Sequence, residues 1–109
     1  RLLASFAHSS RTRSNNSLDA TDAKQIFHEA VNDPVMHDYN VERGIFAAAV
    51  SFACSDATKA QLAGNGLTVS DILHGRFNIA LHRSVYDNVR NDVNNLAGDV
   101  VIHALPKFP

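Results

Sequence analysis

Residues 45–54 read Ile-Phe-Ala-Ala-Ala-Val-Ser-Phe-Ala-Cys, a run with one hydroxyl and no charge. A helix built from it is apolar nearly all the way round, and in water such a helix needs other elements packed on several of its sides. A membrane span takes about 20 consecutive apolar residues, and this run offers half that. It therefore specifies the central helix of a small all-α fold. Gly44 and the alanines let neighbouring backbones approach closely. Each large residue of the run should stabilise the fold by about 1.5–3 kcal/mol when buried.

The flanking sequence supplies helices to surround it. Over residues 19–31, Ala23, Ile26, Phe27, Ala30 and Val31 recur at the spacing of one helical face, while Asp22, Lys24, Gln25 and Glu29 are expected to face away. Ser17 or Asp19 can cap the first turn, and Pro34 ends the helix by excluding its predecessor from helical angles. Asn40 can cap the central helix, which then opens at Val41. Ser55-Asp56 either restarts or continues a helix through Leu62, and the Gly-Asn-Gly of residues 64–66 stops it. A further helical region from Thr68 or Ser70 carries Val69, Ile72, Leu73, Phe77, Ala80 and Leu81, weakened locally by Gly75. From Ser84, Val85, Val89, Val93, Leu96 and Val100 follow helical steps until Gly98 intervenes. Residues 100–102 read as a short strand or a last turn. The expected architecture is a small irregular bundle of four to five helices: a basic arm at 1–18, one helical domain at 19–105 and an extended tail at 106–109. Its core would be Ile26, Phe27, Ile45, Phe46, Val50, Phe52, Leu81, Val85, Val89 and Val93.

Charge is unevenly distributed. The first 18 residues hold Arg1, Arg11, Arg13 and five serines without an acid, whereas the remainder sets seven basic residues against eleven acidic ones. A basic, Ser-rich, acid-free segment has the composition of an organelle transit peptide, and a chain opening on Arg rather than Met reads as processed or cropped. The net charge of −1 gives no general attraction for nucleic acid. Cys54 is the single cysteine, so no intramolecular disulfide can form; within the apolar run it reads as a buried, reduced packing residue.

Signals for chemistry are sparse. Of the six histidines, His28 and His37, with Asp38, are candidates for a His/carboxylate metal site. No established ligand spacing joins them. His74 and His82 would lie about 80° apart on a continuous helix, and one of them could serve a haem. No catalytic residue is assigned: Gly-x-Ser-x-Gly is missing, and Cys54 has no base beside it in sequence. The Asn-rich stretch around Asn88, Asn91 and Asn95 suits a wet or partner-facing surface. Phe108, in a tail of alternating apolar residues and prolines, suits a contact with a neighbouring subunit.

These readings favour a non-enzymatic accessory or structural subunit of an organellar assembly, mitochondrial in the first place, soluble or peripheral and without a cofactor. It would act by helix packing and arm contacts, with Arg1, Arg11 and Arg13 meeting partner carboxylates or anionic lipid. A metal- or haem-binding helical oxidoreductase using His28, His37, His74 or His82 is the second class, and a secreted helical binding module or effector the third. The central-helix assignment has a direct test. Phe46→Asp should place an unpaired charge in the core and collapse the thermal transition; an unchanged melting temperature would refute it.

Overall fold

The computed structural model describes residues 18–32, 44–98 and 105–108. Among them are five helices and no strand: α1 (Ala20–Asn32), α2 (Ile45–Ala53), α3 (Asp56–Gly64), α4 (Val69–Leu73) and α5 (Ile79–Ala97). The expected opening of the central helix at Asn40 and Val41, and the segment at 100–102, lie outside the described residues. As a fold class, the all-α helical bundle is what the structure shows.

Helix α2 forms the most extensive pair with α1 and also touches α4 and α5, while α5 reaches α1 and α3 as well. The joint between α1 and α2 is an edge-to-face pair, Phe27 against Phe46, with ring centroids 5.6 Å apart and planes at 82°. This is the geometry aromatic quadrupoles favour. Phe27, Phe46, Val50, Ile72, Val89 and Val93 are fully buried.

The α2 face buried in this way is Phe46, Ala49 and Val50, so the helix is covered on one broad side rather than all round. Ala48 is exposed, and Phe52 is 41 % exposed. Leu81, also expected in the core, is 73 % exposed. The cause lies in the backbone: His82 has φ −119° and ψ 25°, a break inside α5. It turns the first helical turn out of phase with the Val85, Val89 and Val93 ridge.

The element boundaries have local causes. Asp19 accepts from the Asp22 backbone N–H at 2.8 Å and its own N–H donates to the Asp22 carboxylate at 3.3 Å, a reciprocal cap on α1. That role explains why Asp22 is buried instead of facing water. Cys54 is extended, and α3 restarts from Ser55, whose hydroxyl accepts from the Thr58 N–H. Helix α4 opens on a capping box between Thr68 and Asp71. It closes where Gly75 takes φ 68°, with Gly75 N–H bonded to Ile72 O and Arg76 N–H to Asp71 O. Gly66 ends α3 in the same way, its N–H on Ala63 O and that of Leu67 on Leu62 O. Both are Schellman closures, for which glycine is the residue without steric penalty. Gly75 thus terminates a helix that the apolar pattern alone would continue to Leu81, and Asn78 starts the next one by accepting from Ala80 and Leu81 N–H groups.

Asp92 ties α5 to the start of α3. The Asp92 carboxylate accepts from the Ser55 backbone N–H at 2.9 Å and from the hydroxyl of Thr58 at 2.7 Å, and Thr58 is itself buried. Asp92→Ala should lower the unfolding free energy by about 2 kcal/mol, since it removes two charge-assisted hydrogen bonds and leaves the buried Thr58 hydroxyl with only the Ser55 hydroxyl, at 3.1 Å, as partner. Equilibrium denaturation reads this directly, and a change below about 0.5 kcal/mol, the range of ordinary surface substitutions, would contradict the assignment.

Candidate interaction surfaces

The longest helix, α5, carries the clearest outward face. Ser84, Asn88, Asn91 and Asn95 are exposed along it, at steps of four, three and four that place them in one stripe, and Leu81 is exposed ahead of the break at His82. None of the five is charged. The stripe is partly occupied from within: the Asn88 amide donates to Gln61 Oε1 at 2.7 Å, and Gln61 Nε2 donates to Ser84 Oγ at 3.2 Å. Asn91 and Asn95 make no side-chain hydrogen bond among the described residues, so their donors and acceptors are open to water or to a partner. Asp87 and Arg90 flank the stripe as a partly exposed ion pair at 3.6 Å, an arrangement worth little to stability.

Phe108 points elsewhere. Residues 105–108 fold onto the body of their own chain: Leu105 is 3 % exposed and belongs to the core, and Phe108 is half-buried beside it. Phe108 packs on Phe77 with centroids 5.2 Å apart and on Tyr86 at 5.0 Å. Phe77 and Tyr86 stack on each other at 5.9 Å and 24°. The Tyr86 hydroxyl donates to the Pro106 carbonyl. Burial pushes the phenol pKa up, opposed by the nearby Arg90 guanidinium, which lies 5.8 Å from the ring centroid.

The histidines are dispersed. His28 Nε2 lies 3.1 Å from the carbonyl of Ala97 and so ties α1 to the end of α5. His74 is exposed and its Nδ1 sits 2.8 Å from Ser70 O, within the α4 closure. The break at Gly75 separates it from His82, so the two do not share one continuous helix. Among the described residues, His82 Nδ1, Glu29 Oε1 and Asn94 Oδ1 are buried without a hydrogen-bond partner. Among the described residues no group of three or more His, Cys, Asp or Glu side chains could hold a metal ion. His37, Asp38, Arg1, Arg11 and Arg13 lie outside the described residues.

Cys54 is buried, as expected. Its thiol pKa is pushed up to about 11, first by burial and then by the Asp92 charge, against a smaller pull from Lys59. It is protonated at neutral pH, and the thiolate that nucleophilic chemistry needs is suppressed.

Two of these features left no mark in the sequence pattern. Asp92 stands among the polar residues of α5 like any solvated side chain; its bond to Thr58 spans 34 positions, and no local spacing announces it. The Phe77, Tyr86 and Phe108 trio is likewise assembled from two loops and a helix. A local spacing signal did exist for the caps at Asp19 and Thr68, each followed three residues later by an acid.

No protein-family model matches the chain, and comparison with curated proteins and with solved structures returns no match.

The buried thiol has two measurable consequences. A thiol reagent near pH 8 should label native Cys54 about a hundredfold more slowly than the unfolded chain, in proportion to thiolate content; equal rates would contradict the burial. Because the folded-state pKa lies above the ordinary thiol value near 9, the folded state retains the proton longer than the unfolded one. This contribution to stability is fully present below pH 9 and is lost as pH rises toward 11. Cys54→Ala should flatten that alkaline decline in melting temperature, leaving the part due to Tyr86.

Proposed function

We propose that this chain is a non-enzymatic accessory subunit of a larger organellar assembly, mitochondrial in the first place, which it joins through exposed helix faces and its basic arm. The observation that carries the reading is the uncharged stripe on α5, in which Asn91 and Asn95 are exposed and make no side-chain hydrogen bond among the described residues, while Leu81 adds an exposed apolar side chain ahead of it. Cores of protein interfaces are depleted in charge, and an amide ladder beside a leucine can pair with polar backbone or side chains without the desolvation cost of an ion. Phe52 adds a second exposed apolar side chain on α2. The segment 1–18, with three arginines and no acid, supplies a complementary charge for acidic partner surfaces or anionic lipid. No helix among the described residues is long and apolar enough to cross a membrane. The protonated state of Cys54 removes the one thiol from consideration as a nucleophile.

A second reading, a metal- or haem-binding helical protein, rests on the buried and unpartnered Nδ1 of His82. Metal analysis and an absorption spectrum of the purified protein test it.

For the subunit reading the decisive variant is Asn91→Arg combined with Asn95→Arg, which puts two charges on the stripe without touching the core. Gently isolated wild-type protein should migrate far above its 11.9 kDa mass with defined co-purifying proteins. The double variant should migrate as a free chain at an unchanged melting temperature. Wild-type protein that runs as a monomer, or a variant that keeps its companions, would contradict the proposal.

A further inference from the structure

We infer that Asn65-Gly66, at the end of α3, is a site of spontaneous deamidation whose rate is set by opening of the helix closure that holds it. The pair is the sole Asn-Gly of the chain, and both residues are exposed. Asparagine is a labile residue, and most so before glycine, where no side chain shields the attacking backbone nitrogen. Glycine is required at 66 by the backbone alone: its φ of 69° strains any L side chain, although a Cβ there would meet nothing within 4 Å. The fold thus fixes a reactive dipeptide on its own surface.

The chemistry needs only water and base. Hydroxide removes the Gly66 amide proton, and the nitrogen attacks Asn65 Cγ. A bond forms between Gly66 N and Asn65 Cγ, the Cγ–Nδ2 bond breaks and ammonia leaves, giving a five-membered succinimide. Water then opens the ring at either carbonyl and leaves aspartate or isoaspartate at 65. The native geometry opposes the first step. Asn65 has ψ 7°, so the Gly66 nitrogen nearly eclipses the Asn65 nitrogen, whereas ring closure needs it beside Cβ, a third of a turn away. The Gly66 N–H is held on Ala63 O at 3.1 Å and the Leu67 N–H on Leu62 O at 2.9 Å. The leaving amide is tethered as well, its Nδ2 donating to Gln61 O at 2.8 Å. Rotation about ψ breaks the two backbone bonds, so the reaction proceeds from the locally opened end of α3.

Either product carries a new carboxylate at a helix C-terminus, where the peptide dipoles disfavour negative charge. Isoaspartate also adds a methylene to the main chain and draws the Gly66 N–H away from Ala63 O. The change is one-way, and it loosens the joint that leads through Leu67 into α4. The inference goes beyond the subunit reading and does not depend on the α5 stripe.

The test incubates the full chain and a free peptide of residues 61–70 in the same mildly alkaline buffer and maps each asparagine by mass spectrometry, with the isoaspartyl isomer separated. Asn65 should convert ahead of every other asparagine, at least about tenfold more slowly in the folded chain than in the peptide. Leu67→Ala removes a half-buried side chain packed against the core beside the closure. It should speed the reaction and the hydrogen exchange of the Gly66 amide by the same factor, because both need that N–H released. If Leu67→Ala does not fold, the exchange protection of Gly66 in the wild-type chain takes its place and should match the slowing of the reaction within about tenfold. Equal rates in folded chain and peptide would overturn the inference. So would an absence of product at Asn65 after about a hundredfold longer incubation than the peptide needs, or exchange at Gly66 that does not follow the reaction.

Discussion

Everything in this fold follows from the need to cover α2. With Phe46, Ala49 and Val50 buried along one side and no charged residue in its length, the helix cannot stand in water. Three other helices meet it. The alanines make this possible at close range, and the edge-to-face contact of Phe27 and Phe46 locks the α1 side of the arrangement. The covering is incomplete: Ala48, where contact with water costs little, and Phe52 are the exposed positions of α2.

The second organising interaction is polar. Asp92 gathers the Ser55 N–H and the Thr58 hydroxyl at the start of α3, so an anion from α5 sits at a helix N-terminus, where the peptide dipoles favour negative charge. Together with the His28 contact at Ala97, five residues further along, it holds the C-terminal half of the long helix against both α3 and α1. The Asn88, Asn91 and Asn95 part of the stripe is thereby presented on the anchored C-terminal half of α5. A surface held in this way can engage a partner without the ordering cost that a mobile element would incur.

The fold was largely legible in the sequence, and the reasons for success and failure are physical. Helix α1, the central position of α2 and the Val85, Val89 and Val93 ridge follow from apolar periodicity, which reports burial directly. The expectations for Leu81 and Phe52 failed because periodicity assumes a straight helix and complete covering. A backbone break at His82 defeats the first assumption, and the limited number of neighbouring helices defeats the second. The apolar pattern makes Gly75 a weak point inside a helix, whereas its positive φ makes it the end of one. Contacts far apart in sequence, such as Asp92 with Thr58 or Phe108 with Phe77, carry no local signature. For the same reason the tail's docking onto its own chain was not visible, and its alternating prolines and apolar residues suggested only a contact somewhere. The stripe of Asn88, Asn91 and Asn95 was visible as composition, while its partial occupation by Gln61 required the structure.

The central claim, that the fold is organised around α2, is tested most directly by native-state hydrogen exchange resolved to single amides. Buried core amides exchange only through global unfolding, whereas peripheral elements open locally at lower free energy. The amides of Val50 and Ala53 in α2, with those of Val89 and Val93 in α5, should exchange most slowly and with the denaturant dependence of global unfolding. Those of Ala80 to His82, ahead of the break in α5, should exchange through local opening. Fast, denaturant-independent exchange at Val50 and Ala53 would show that α2 opens on its own and would contradict the account.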